Sequence, residues 1–178
     1  LAAIAGDDPH DSTTAPEPVP DYTAGFDQGL AGLRVGVPSE FFKDGVDDGV
    51  RSAIEEAIAV FESEGAIIDR SVELPTAPAS LPVYYIIAPS EASANLARYD
   101  GVKYGFSVTE GESVEDEMSQ TRAQGFGAEV KRRILIGTYA LSTGYYDAYY
   151  LKAQKVRTLI RREFEAAFTD HDLLLTPT

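Results

Sequence analysis

The spacing of apolar residues changes several times along the chain, and each change marks an element. LRVGVP, residues 33–38, is a short β-rich run stopped by Pro38, the form of a buried strand. Val50, Ile54, Ile58 and Phe61 then recur on one helical face, behind Asp47 or Asp48 as N-cap and ahead of Gly65 as stop, which predicts a helix over 48–64. AIIDRSVEL, 66–74, reads as the next strand. Strand, helix and strand in this order form a βαβ unit, with parallel strands and a right-handed crossover. LPVYYIIAPSEASANLARY predicts a helix over 83–98, with a break or a fresh start near Ala88 to Ser90 at Pro89. Helical spacing returns over 114–122 and 128–136. The longest helix is predicted over 145–168, with Tyr149, Ala153, Val156, Ile160, Phe164 and Ala167 on one stripe. DLLLTPT closes with a strand over 172–176, its continuous apolar run typical of a parallel strand covered on both faces.

Residues 7–31 show no period and hold four prolines, so they read as an extended Pro-rich loop strapped over a surface. LAAIAG before them reads as the last turn of a helix closed by Gly6. It lacks the charged start of a secretory signal. Both ends look cut, which points to a piece of a longer protein. The order β-α-β-(several α)-β gives an α/β class with short, largely parallel strands, in one domain spanning 1–178.

Composition narrows the functions. With 44% hydrophobic and 25% charged residues the chain reads as a globular protein, and no apolar run approaches the ~20 residues of a membrane-spanning helix. Cytoplasmic location is the default expectation. Fifteen basic against 29 acidic groups, a net charge of -14, argue against binding nucleic acid or anionic membranes through the surface as a whole. There is no cysteine, and His10 and His171 are the two histidines, which removes disulfides, Cys nucleophiles and His-rich metal clusters. His10 in the Pro-rich loop and His171 in a helix-to-strand turn are expected at the surface.

Against this acidic background, residues 125–157 gather six of the 15 Lys and Arg and five of the ten tyrosines. Lys152 and Lys155 fall off the apolar stripe and belong to a solvated face. Arg157, Arg161 and Arg162 suit the negative end of their helix and pairing with Glu163 and Glu165. Lys131, Arg132 and Arg133 in EVKRRI are consecutive, so on a helix they point about 100 degrees apart and one must turn inward, toward Val130, Ile134 and Leu135. An inward arginine needs an anion, a carboxylate of the protein or one of a substrate, and residue chemistry leaves both open. The pairs Tyr84–Tyr85 and Tyr145–Tyr146 are expected to serve mainly in core packing. Ser90, Ser93 and Asn95 with Lys103 sketch a Ser-Lys dyad, but the Gly-rich backbone that presents a nucleophile and donates an oxyanion hole is missing.

LAAIAGDDPHDSTT, LRVGVPSEFF, YYIIAPSEASANLARYDGVKYG, TRAQGFGAEVKRRILIGTYALSTGYYDAYYLKAQKVRTLI and DLLLTPT resemble, in order and spacing, the C-terminal half of the A subunits of glutamyl-tRNA(Gln)/aspartyl-tRNA(Asn) amidotransferases, in the amidase signature family. The resemblance implies the amidase signature fold. It implies a glutaminase that uses a Ser, cis-Ser, Lys triad and passes ammonia to the amidotransferase B subunit, which amidates mischarged tRNA, contacts the tRNA and consumes ATP. The amidotransferase C subunit would be a further partner, and no cofactor, metal or membrane is implied. The triad would lie before LAAIAG, so no catalytic residue is carried over and the chain alone is expected to be inactive. Two substrate-binding residues do carry over: Arg133 as the clamp on the glutamine α-carboxylate, and Tyr84 as a substrate contact. Phe126, Tyr139 and STGYYDAYY would pack around that pocket. An acidic residue for the α-amino group would follow TPT. Two rivals stand beside this reading. Another amidase signature hydrolase with an apolar substrate would tolerate Arg133→Met. A non-catalytic α/β binding module would have a closed core, whereas a cut fragment would expose Leu1 to Ala5 and Leu173 to Leu175.

Overall fold

In the computed structural model, which describes residues 1–43 and 45–178, the three apolar runs pair in parallel, with the first of them in the middle. β1 (Arg34–Gly36) is central, with Val35 opposite Ile68 of β2 (Ile67–Asp69) and opposite Leu173 of β3 (Leu173–Leu174). The ladders are shorter than the apolar runs. Beyond β2 the Asp69 carboxylate accepts from the Ser71 amide at 2.7 Å and hydroxyl at 2.6 Å, a local turn that draws the chain off the ladder. The expectation that the last strand is covered on both faces is corrected: Leu174 packs on the core, but Leu173, on the opposite face, is 45% exposed. A Cβ at Gly36 would lie 2.7 Å from Leu174 and 2.9 Å from Val72, so the central strand needs a glycine where side chains crowd its face.

Helix α1 (Asp48–Ser63) starts where the Asp47 carboxylate accepts from the Gly49 amide at 2.8 Å. It ends at Gly65 with φ 90°, where Gly65 donates to Glu62 and Ala66 to Phe61, the paired bonds of a Schellman cap. Its Ile58 is fully buried.

Helix α2 (Ser80–Leu96) runs unbroken through Pro89, correcting the expected break. Pro89 removes one backbone bond, and in the same turn the Ser90 hydroxyl donates to the Ile86 carbonyl at 2.7 Å. The bend-prone turn is also braced from outside. At Gly137 of α4 (Ala128–Leu141) a Cβ would collide with the Pro89 carbonyl, so the two backbones touch where Gly137 has no side chain. Between them α3 (Val114–Gly125) is capped by Ser113, and its Arg122 donates to the carbonyls of Leu96 and Tyr99 at 2.9 and 3.0 Å, closing the end of α2.

The longest predicted helix divides in two. A π-helical turn, Asp147–Leu151, with Leu151 donating to Tyr146 five residues back, leads into α5 (Lys152–Asp170). The predicted stripe of α5 joins two apolar clusters. Ala153, Val156 and Ile160 meet Val83, Ile86 and Ile87 of α2, while Phe164 and Ala167 meet Val72, Leu74 and Ala77.

His171, expected at the surface, is buried. Its Nδ1 faces the Ala167 carbonyl at 2.8 Å and its Nε2 the Asp69 carboxylate at 3.0 Å, joining the end of α5 to β2. Two acceptors suit a doubly protonated ring, and the Ala167 carbonyl, with Asp69, raises the histidine pKa above its ordinary value. Residues 7–31 form an exposed strap of turns, and the first residues form one helical turn, Ala5 donating to Leu1, that ends at Gly6 with φ 145°. The accessible surface is 12557 Å², against about 8,400 Å² for a compact monomer of 19.2 kDa.

Candidate substrate-binding site

The three consecutive cations of α4 point three ways: Lys131 finds a backbone carbonyl, while Arg132 and Arg133 share Glu129. Lys131 reaches back to donate to the Ala123 carbonyl in the last turn of α3, at 3.0 Å. Arg132 turns to solvent, 69% exposed, and pairs with Glu129 Oε2. Arg133 leans toward α2: its Nε donates to Glu129 Oε1 at 2.9 Å, and its Nη1 approaches the Tyr84 hydroxyl at 3.4 Å. The structure thus brings the two sequence-predicted site residues together from positions 49 apart in the chain. Among the described residues no protein group accepts from Arg133 Nη2.

Glu129 was not singled out from the sequence, although its spacing three and four residues before two arginines is the signal of paired charges on a helix. It sits in the first turn of α4, where the helix dipole also favours a negative charge. The bonds from Arg133, then Arg132, hold its carboxyl below the ordinary range. Glu129 in turn raises Arg133, with a second contribution from Tyr84. Both partners are half exposed, so the pair is an orienting device more than a source of stability.

Tyr84 forms the edge of a hollow of about 290 Å³ between α2 and α5, floored by Val83, Ile87, Ala88 and Ile160, with Arg157 on its wall. Tyr84 is thus shared between the Arg133 fork, which meets its hydroxyl, and an apolar recess that Arg133 does not line. That combination suits a small molecule with one carboxylate and an aliphatic part.

The tyrosine pairs depart from the core role expected of them. Tyr84 and Tyr85 are 48% and 56% exposed and meet edge to face, their centroids 5.3 Å apart. Tyr145 stacks sideways on Tyr139 at 4.3 Å, and Tyr149 completes the surface cluster. Tyr150 donates to Glu91 at 2.6 Å and holds the π-helical turn to α2. Helix-to-helix contact at Gly137 is too close to admit such rings, which leaves them at the margins. Phe126 lies under the Arg122 guanidinium at 5.0 Å and lines a different hollow, with Lys131, Ile134 and Leu135.

Ser90 and Ser93 are buried, and their hydroxyls donate to the Ile86 and Ser90 carbonyls of their own helix. Neither is presented as a nucleophile. Among the described residues no group of three or more His, Cys, Asp or Glu could hold a metal ion, and no helix is long and apolar enough to cross a membrane.

Comparison with known proteins covers the whole chain. The sequence profile described as amidase matches residues 1–178. The chain is 61% identical over 178 residues to the A subunit of glutamyl-tRNA(Gln) amidotransferase from Carboxydothermus hydrogenoformans and 57% identical to that from Chloroflexus aggregans, covering 100% of this chain and 36% of each relative. It spans about a third of the length of these curated relatives. The crystal structure of the glutamyl-tRNA(Gln) amidotransferase A subunit from Thermotoga maritima superposes with a TM-score of 0.65 at 36% identity, over 97% of this chain and 32% of that one. A bacterial aryl acylamidase of the amidase signature family shares the fold at 19% identity, with a TM-score of 0.60 over 97% of this chain and 33% of the other.

Proposed function

The chain belongs to the amidase family, and on that premise we propose that it is a segment of the glutamine-hydrolysing A subunit of a tRNA-dependent amidotransferase, in which Arg133 and Tyr84 hold the α-carboxylate end of glutamine. The observation that carries the proposal is the meeting of Arg133 Nη1 and the Tyr84 hydroxyl at 3.4 Å; Tyr84 also borders a recess of about 290 Å³. A neutral or apolar amide substrate would give that cationic fork no work, which weakens the reading as another amidase signature hydrolase. The open surface weakens the reading as a closed binding module. Leu1 and Ile4 are 80% and 86% exposed.

In the longer polypeptide the chemistry would proceed on a Ser, cis-Ser, Lys triad outside these residues, through an acyl-enzyme that releases ammonia and then glutamate. The segment here contributes orientation: a clamped α-carboxylate fixes where the side-chain amide carbonyl sits relative to the nucleophile, and such positioning can be worth several kcal/mol, on the order of 7–11 at most. Ammonia would pass to the B subunit, which contacts the tRNA and uses ATP. The C subunit would be the further partner, with the cytoplasm as the setting.

The test is glutaminase activity of the chain alone and of the chain completed in trans by the N-terminal part of an amidotransferase A subunit, each repeated with Arg133→Ala. Activity that appears only on completion and falls with the substitution supports the proposal. Turnover by the chain alone would overturn it.

A further inference from the structure

Two neighbouring arginines share one carboxylate, yet they are held differently, and the difference is chemical. Glu129 Oε2 engages both Nε and Nη2 of Arg132, which closes the side edge of that guanidinium. Glu129 Oε1 engages only Nε of Arg133, at 2.9 Å. Arg133 keeps its end edge, Nη1 and Nη2, with Nη1 already directed at Tyr84. An arginine can meet a carboxylate by its side edge or its end edge, and each is a two-pronged fork.

We propose that Glu129 is the positioning residue of this clamp: by taking the Arg133 Nε–H it makes the guanidinium receive the glutamine α-carboxylate end-on through Nη1 and Nη2, beside Tyr84. By holding Arg132 on its other oxygen it also turns the second cation away, so one fork rather than two competes for the substrate. The inference rests on the Arg133 clamp proposed above. A free arginine side chain loses rotamer freedom when ordered, and a carboxylate one helical turn away can set that order before substrate arrives. The rigid base is α4 itself, whose third turn is anchored against α2 at Gly137.

The inference is tested by glutaminase kinetics of the full-length polypeptide that carries this segment, with glutamine and with its α-carboxamide analogue. Variants are Glu129→Ala, Glu129→Gln, Arg133→Ala and the Glu129→Ala/Arg133→Ala pair. Glu129→Ala should raise the KM for glutamine about tenfold with kcat changed less than about twofold, and lower the preference for glutamine over the carboxamide. Glu129→Gln keeps an oxygen for the Arg133 Nε–H and should recover most of the loss, so it also carries the test if the alanine variant folds poorly. In the Arg133→Ala background, Glu129→Ala should cost nothing further, because the loss it causes passes through the Arg133 guanidinium and Arg132, once released, can only add a cation.

If Arg133→Ala leaves the KM and the preference unchanged, the clamp itself is wrong. If Arg133→Ala raises the KM but Glu129→Ala is neutral, additive with it, or tightens glutamine as removal of a competing carboxylate would, the clamp stands and the positioning role falls.

Discussion

Arg133 differs from Arg132 by one position in sequence and by about 100 degrees around α4, and that rotation decides which of them meets Tyr84. Replacing Arg133 with alanine should therefore lower kcat/KM for glutamine about 10²-fold, from ~3 kcal/mol of charge-assisted hydrogen bonding, whereas Arg132→Ala should stay within about threefold. Equal losses in the two variants would show that the site reads charge rather than geometry. The second residue-scale prediction concerns His171. Its folded pKa is raised, so the stability it contributes is fully present below the unfolded value of about 6.5 and is lost as pH rises through the raised folded value. Asp69, its partner, is held low, first by Ser71 and then by His171, and stays ionised across that window. In urea unfolding the stability gap between the chain and His171→Gln should be larger below about pH 6.5 than above the raised folded value; a gap that does not change with pH would contradict the doubly donating ring. Arg133 and Tyr84 were singled out only because their motifs resemble those of a known family; that their side chains meet was not readable. The burial of His171 was not readable, since it depends on Asp69, 102 positions away, and no local pattern reports such a meeting.

Among the elements, the contact of α4 with α2 sets the site, because Arg133 reaches Tyr84 only if the helix backbones nearly touch. Gly137→Ala should push them apart and cost about 1–3 kcal/mol, measured as a lower urea midpoint, together with weaker glutamine binding in the completed enzyme. Unchanged stability would mean that the crossing at Pro89 is not as close as described. Periodicity located the helices α1 to α5, and the caps at Asp47, Ser113 and Gly65 explain the limits of α1 and the start of α3. Pro89 misled because its local effect, a lost backbone bond, is offset by a serine hydroxyl and by a glycine on another helix. The π-helical turn before α5 was hidden for a similar reason: the apolar stripe continues through it, and only the hydrogen bonds reveal the extra residue per turn.

At the scale of the whole molecule, the accessible surface exceeds that of a compact monomer by nearly half, and apolar side chains on several elements share in the excess. The isolated chain should bind a hydrophobic dye and associate at micromolar concentration, with both effects reduced when the rest of an amidotransferase A subunit is supplied; a monodisperse monomer without dye binding in light scattering would contradict an open face. The class of the fold, the parallel strands implied by a βαβ unit, the helix stripes and the family resemblance were already legible along the chain, because they depend on local periodicity and on motifs of adjacent residues. The tertiary structure alone decided which cation of EVKRRI faces Tyr84, that one carboxylate serves two arginines unequally, that Pro89 stays within a helix and that His171 is buried. Each of these depends on groups that are distant in the chain or on how a side chain is turned, and the balance of packing and hydrogen bonding that fixes them exists only once the helices and strands have met.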